Sequence, residues 1–164
     1  MQARNFVMSV YSGNALRASD ATPISVTGGE ERSGVDLTVP IHGLHTISGV
    51  VTASSDGHPV NSGFVTLTSP EDKSLDFQAY IDNTGGFIFY YLPANTTYTL
   101  RVNAQESTPY APGAAPVQTV NGARMTPFAR NRPYAEVRQD IRLNDSDLTG
   151  IAVSVSEEAS TAGK

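Results

Sequence analysis

Along most of this chain apolar and polar residues alternate one by one. Tyr98, Leu100 and Val102 alternate with Thr97, Thr99, Arg101 and Asn103; Val35, Leu37 and Val39 with Asp36 and Thr38; Ile151, Val153 and Val155 with Ala152, Ser154 and Ser156. A period of two places one side-chain set on a core and the other in water, the mark of half-buried strands. The pattern predicts strands near 24–27, 34–39, 46–53, 63–69, 76–82, 86–92, 96–104, 135–143 and 150–156, with a weaker one over 6–11. The run Phe87, Ile88, Phe89, Tyr90, Tyr91 is apolar or aromatic on both faces and reads as a central strand covered on both sides. No window of useful length repeats at 3.6 residues between caps, so no long helix is expected.

The breaks between runs carry turn chemistry. Asp56-Gly57-His58-Pro59 closes one connection, and Asp82-Asn83-Thr84-Gly85-Gly86 reads as a tight hairpin, because Asn and Gly accept positive φ cheaply. Gly49 and Gly63 fall in or beside strands, where a missing side chain permits a close backbone approach or a bulge. Keeping the alternation in phase, the core should contain Ile47, Val51, Val65, Leu67, Phe87, Phe89, Leu100 and Val102, with the Tyr98 hydroxyl capping a sheet corner. The Pro/Gly/Ala-rich stretch 105–134 reads as a long loop laid over the domain and pinned by Tyr110, Met125, Phe128 and Tyr134.

Two segments resemble each other. Ile24, Val26, a polar turn, Gly34, Val35, Leu37 and Val39 match Ile141, Leu143, a polar turn, Gly150, Ile151, Val153 and Val155. Each reads as a β-hairpin that closes a domain, and the spacing suits a β-sandwich module. The chain then divides into a hairpin remnant of a preceding module (1–41), a linker (42–45), one complete module (46–156) and a disordered tail (157–164). The orphaned hairpin has three options: disorder, folding back on its own module, or pairing with a second chain by strand addition; the clean alternation favours order, and the linker 40–45 favours a strand-pairing homodimer.

Composition narrows the function. The 164 residues carry 11 Lys plus Arg against 16 Asp plus Glu, a net charge of −5, which gives no basic face for nucleic acid. There is no cysteine, so disulfides, thiol nucleophiles and thiolate metal sites are excluded. The longest apolar run, 87–92, is too short to insert in a membrane.

From Ile47 onward the chain carries a recognisable series: Ile47, Gly49, Val50; Gly57, Pro59; Gly63, Val65, Leu67; Asp82, Gly86, Phe87, Phe89; Pro93, Tyr98, Leu100. This resembles the carboxypeptidase regulatory-like domain of the transthyretin-like (prealbumin-like) group. Asn95-Thr96-Thr97 stands where that family usually has Gly-Tyr, and the tyrosine survives as Tyr98. The resemblance covers 47–103 closely and 104–156 by pattern. It implies an all-β, seven-stranded Greek-key β-sandwich, here with an additional N-terminal hairpin. Tandem copies linked this way resemble exported proteins of environmental bacteria, implying a periplasmic or cell-surface location, a structural or interaction role, and neighbouring modules or a protein as partner. The group includes one hydrolase of a purine-degradation intermediate, whose C-terminal tyrosine-arginine-glycine-serine signature is absent here.

Candidate chemistry is sparse. His42-Gly43-Leu44-His45 and Asn144-Asp145-Ser146-Asp147 offer metal-ligand types, but the first lies in the linker and the second lacks the Gly and distal Glu of an EF-hand. No metal or cofactor is expected. A Ser near His58 and Asp56 is expected by chance in a chain with 16 serines, and there is no nucleophile-elbow motif, so no enzyme is expected. The alternative to a spacer or protein-interaction module is a carbohydrate-binding one, with Tyr90, Tyr91, Tyr110, Phe128 and Tyr134 as a stacking platform. Against it, neighbours on one strand face opposite sides, so either Tyr90 or Tyr91 should be core.

Overall fold

The computed structural model describes residues 8–113, 115, 117–121, 123–125 and 129–158. It is all-β. The strands are β1 (Leu44–Ala53), β2 (Ser62–Thr68), β3 (Asp76–Tyr80), β4 (Gly86–Pro93), β5 (Thr96–Pro109), β6 (Gln118–Val120), β7 (Ala123–Met125), β8 (Ala129–Pro133), β9 (Val137–Leu143) and β10 (Leu148–Val155). One sheet has the order β10-β1-β4; the other runs β3-β2-β5, with β8 and β9 both pairing β5. β10 lies parallel to β1, and the remaining pairs are antiparallel. The seven strands expected between 46 and 156 all form, packed as a two-sheet sandwich.

The core is the set of inward alternating positions. Ile47, Val51, Val65, Leu67, Leu100 and Val102 are fully buried, and Phe87 and Phe89 nearly so. Burying such side chains is worth roughly 1.5–3 kcal/mol each, the main term holding the sheets together. Phe87 and Phe89 meet edge to face at 6.1 Å, as do Phe77 and Tyr98 at 6.3 Å. Tyr98 is buried and its hydroxyl donates to Pro93 O (3.2 Å), tying the start of β5 to the end of β4. Burial pushes that hydroxyl's pKa up to about 12. At Gly49 a Cβ would lie 2.3 Å from Ile151 O, so the β1–β10 approach requires glycine there.

Several expectations are corrected. The Asp82–Gly86 turn is not a hairpin, because β3 and β4 belong to different sheets. It is a sheet-crossing corner in which Asp82 Oδ1 accepts from the backbone N–H of Thr84 (2.8 Å) and of Gly86 (2.9 Å). The segment 141–155 likewise crosses between sheets: β9 pairs β5 and β10 pairs β1. β4 is an edge strand rather than a central one. β1 begins at Leu44, inside the expected linker.

The stretch 105–134 is not one loop. β5 runs on to Pro109 and pairs β8 from Gln105↔Pro133 to Pro109↔Ala129, and β6 and β7 form a small ribbon beyond. β8 and β9 follow the same edge of β5, interrupted at Tyr134, whose N–H bonds Ala104 O (3.0 Å). The described residues of β8 are mostly exposed. Tyr134 does pin it, being buried.

No ladder forms over 24–39. A turn closes there, with Glu30 N–H donating to Thr27 O (2.9 Å) and Arg32 to Ser25 O (2.9 Å), but Ile24, Val26, Val35, Leu37 and Val39 remain exposed and unpaired. An isolated two-stranded ribbon gains too little burial to offset its ordering cost. Before it, residues 8–22 fold back on the module. Arg17 Nη2 donates to Ala94 O and Thr96 Oγ1, both 2.5 Å, and Ala18 N–H donates to Asp72 Oδ2 (2.9 Å). The strand expected over 6–11 does not form within the described part, where Tyr11 makes only an isolated bridge to Ala15. Its first two residues lie outside the described residues, as do 159–164 of the expected tail; Glu157 bridges to Tyr134.

Candidate functional site

Among the described residues, the expected platform tyrosines lie in two separate groups. Tyr90 and Tyr91 are near the β4 end that faces the start of β1, where His45 pairs Leu92. Tyr134 and Tyr110 belong to the opposite end, beside the far half of β5. The length of β1 separates the two groups by roughly 30 Å. Tyr110 lies under the Arg130 guanidinium at 5.8 Å, a cation–π pair across the β5–β8 ribbon. Tyr134 is buried, which raises its hydroxyl pKa by desolvation. Phe128 lies outside the described residues.

Tyr90 and Tyr91 hold a local surprise. Between His45 and Ile47 on β1 the partners step from Leu92 to Phe89, so β4 carries one extra residue. Tyr91 sits at φ 59° inside this bulge. The bulge breaks strict alternation, and both tyrosines are exposed, their rings 6.3 Å apart and tilted 46°. The expectation that one of them is core is therefore wrong. A non-glycine residue in left-handed backbone costs of order 1 kcal/mol or more, and such strain tends to collect where a side chain has been re-aimed. Tyr91 also borders a cleft of about 120 Å³ lined by Leu16, Leu75, Asp76, Phe77 and Pro93. Ligand sites typically hold roughly 300–1,000 Å³, so this cleft is too small to enclose a substrate.

Two clusters of titratable groups assemble that no sequence spacing announces. At the far end of β1, His58 Nδ1 is 2.5 Å from Asp56 Oδ1, while its Nε2 is 3.4 Å from Glu106 Oε2 and 3.5 Å from the Tyr134 hydroxyl. Asn61 completes the link to β5, donating to Glu106 Oε1 (2.9 Å) and Ser107 O (3.0 Å) and accepting from Ser107 N–H (2.8 Å). The Asp56 carboxylate raises the pKa of His58, and His58 lowers that of Asp56. The arrangement looks like an acid–imidazole dyad, but Nε2 faces a carboxylate and a phenol rather than a serine. It clasps the β1–β2 turn to β5.

At the near end, the two metal-like motifs partly meet. His45 Nε2 is 3.2 Å from Asp145 Oδ1 and its Nδ1 is 3.6 Å from Asp147 Oδ1, which also accepts from Thr46 N–H (2.8 Å). His42 stays exposed and apart. The two ring nitrogens point away from each other, so the carboxylates grip the imidazole from both sides and do not converge with it on one point. Among the described residues no group of three or more His, Asp or Glu is arranged to hold a metal ion. A third site missed in sequence is the exposed cross-strand pair Phe64 and Tyr80 on the outer face of β2 and β3.

Comparison with protein-family models and with curated proteins gives no match. Among solved structures, a candidate carbohydrate binding protein from Pseudomonas aeruginosa aligns over 70% of this chain and 89% of its own, with 16% identity and a TM-score of 0.39. The major pilin subunit of Bacillus cereus aligns over 70% of this chain and 30% of its own, with 11% identity and a TM-score of 0.43. A 9R-lipoxygenase from Cyanothece aligns over 75% and 18%, with 15% identity and a TM-score of 0.37. These likenesses do not establish a family. Among the described residues no helix is long and apolar enough to cross a membrane.

Proposed function

We propose that this chain is a non-catalytic β-sandwich module, related to the carboxypeptidase regulatory-like domains, that spaces or joins other parts of an exported bacterial multi-module protein. The observation that carries this reading is the use made of the titratable groups. Both histidine clusters fasten one structural element to another, and the small cleft beside Tyr91 includes no residue of either cluster. Fold alone assigns no chemistry, so the reading rests on these sites. It is tested by screening the purified chain against chromogenic ester, peptide and glycoside substrates. No turnover is expected, and saturable turnover abolished by His58→Gln would overturn the reading.

A carbohydrate-binding role is the second reading, favoured by the bulge that turns both Tyr90 and Tyr91 outward. A glycan array decides it. Binding to a defined glycan lost in Tyr90→Ala and Tyr91→Ala would favour it, and absence of binding would leave the structural role standing.

A further inference from the structure

We infer that residues 24–39 are the closing strand pair of a second sandwich of this same architecture, one that precedes this module in the same polypeptide and lacks those two strands without them. The inference rests on the multi-module reading above and names the partner of the N-terminal arm.

The sequence match gains a structural counterpart in the two glycines. In β10 the partners of Ile47 and Gly49 are Leu148 and Ile151, so an extra residue bulges β10 just before its inward-facing run, and Gly150 there has φ 76°. Gly34 holds the matching place before Val35, Leu37 and Val39, and has φ 78°. At neither glycine would a Cβ meet anything within 4 Å, so it is the left-handed backbone that calls for glycine at both. The arm thus carries the left-handed glycine of a closing strand with no ladder beside it.

The module shows what such a pair needs. Ile141 and Leu143 lie antiparallel opposite Tyr98 and Thr96 of one sheet, while Ile151, Val153 and Val155 lie parallel to Gly49, Val51 and Ala53 of the other. A closing pair therefore straddles two sheets, and no single open edge satisfies it. This module's own slot is filled by β9 and β10, with Ile141, Leu143, Val153 and Val155 buried and Ile151 half-buried, so neither this copy nor a second intact copy offers a vacancy. The vacancy belongs to a sandwich whose chain supplies its last two strands as residues 24–39. The arm is also anchored at its base. Its base is tied by Thr22 N–H to Ser12 O (2.8 Å) and Thr38 N–H to Asn14 Oδ1 (2.7 Å). Arg17 and Ala18 latch that base to the Ala94–Thr96 corner and to Asp72 of the following module. Those latches would set the angle between the two modules.

The first test transplants the arm. In the full chain, residues 141–155 are replaced by residues 24–39, and by residues 25–40 as a register-shifted control. The first graft is expected to unfold cooperatively with a Tm within about 10 °C of the parent, with its new strand amides protected from hydrogen exchange. The shifted graft, which turns the apolar set outward, is expected not to fold. Failure of the first graft, or equal folding of both, overturns the inference and leaves the non-catalytic reading untouched. The second test compares the 164-residue chain with the same chain carrying its natural upstream residues. The shorter chain should be monomeric with unprotected arm amides, and the longer one should slow exchange at 24–26 and 35–39 by about 100-fold or more. A dimer of the shorter chain held by the arm, an upstream sequence with no alternating runs, or arm amides unprotected in the longer chain would each overturn it.

Discussion

The arm over 24–39 and the closing pair over 141–155 spell nearly the same pattern and end in opposite states. Exposure runs from 41% at Val39 to 59% at Val26 in the first, against 7% at Ile141, 2% at Val153 and 0% at Leu143 and Val155 in the second. The alternation is shared, so the difference is made by what lies beside each segment. β9 and β10 have β5 and β1 to complete their ladders and two sheets to cover their apolar faces. The arm has a turn, a tethered base and water. Alternation states which face a strand would bury, and tertiary context decides whether it is buried at all.

The largest test of that contrast is truncation. Phe89→Ala in the core should cost about 3–5 kcal/mol, read from urea unfolding. Leu37→Ala in the arm should change stability by less than about 0.5 kcal/mol. Equal costs would mean that the arm belongs to the module's cooperative unit and the contrast is false.

A smaller effect probes the corner next to the arm's latch. Tyr98→Phe removes the buried hydrogen bond from the hydroxyl to Pro93 O, at a cost of about 1 kcal/mol. A loss below about 0.3 kcal/mol would show that the ring's packing alone holds the β4–β5 corner. The glycines sharpen the comparison directly. Gly150→Ala forces a Cβ into left-handed backbone within a paired strand and should cost about 1 kcal/mol, while Gly34→Ala should leave the melting of the module unchanged. Equal losses at the two would show that the arm is already folded into the module.

How far the sequence could be read follows from the same logic. The seven sandwich strands and the eight core residues were legible because one buried face imposes a period of two. Which strands pair was not. The expected hairpins at 82–86 and 141–155 are sheet-crossing corners, since turn residues such as Asp82 and Gly150 serve a reversal within a sheet and a step between sheets equally well. β8 was invisible because Arg130, Asn131 and Arg132 lie in a ribbon exposed to water, where no alternation is required. Tyr91 escaped because a bulge cancels the alternation that placed it. The histidine clusters were hidden by distance along the chain: His58 meets Glu106 and Tyr134, and His45 meets Asp145 and Asp147, only after the sheets have stacked.

The smallest effect distinguishes the clasp at the far end of β1 from the apolar contacts around it, because only the clasp depends on pH. His58 faces Asp56 from its own turn, Glu106 from β5 and the Tyr134 hydroxyl from the β8–β9 junction, with Arg132 and Glu157 paired nearby. The Asp56 carboxylate raises the imidazole above its ordinary value of 6.5, so the folded state binds the proton more tightly than the unfolded chain. That contribution is fully present below pH 6.5 and fades as pH rises through the higher folded value. Asp56, lowered from 3.8 by the same bond, adds stability above 3.8 that is lost as pH falls through its folded value. The clasp is therefore strongest between these limits. Because His58 and Asp56 are both exposed, water and salt screen the interaction and the change in stability should be small. In an NMR titration His58 is expected to turn over above 6.5, and Asp56→Asn should bring it back down. The urea midpoints of wild type and His58→Gln should converge as pH is raised from about 6 to 8. A His58 that titrates at or below its ordinary value, with parallel midpoint curves, would show that the two carboxylates do not grip the ring in solution.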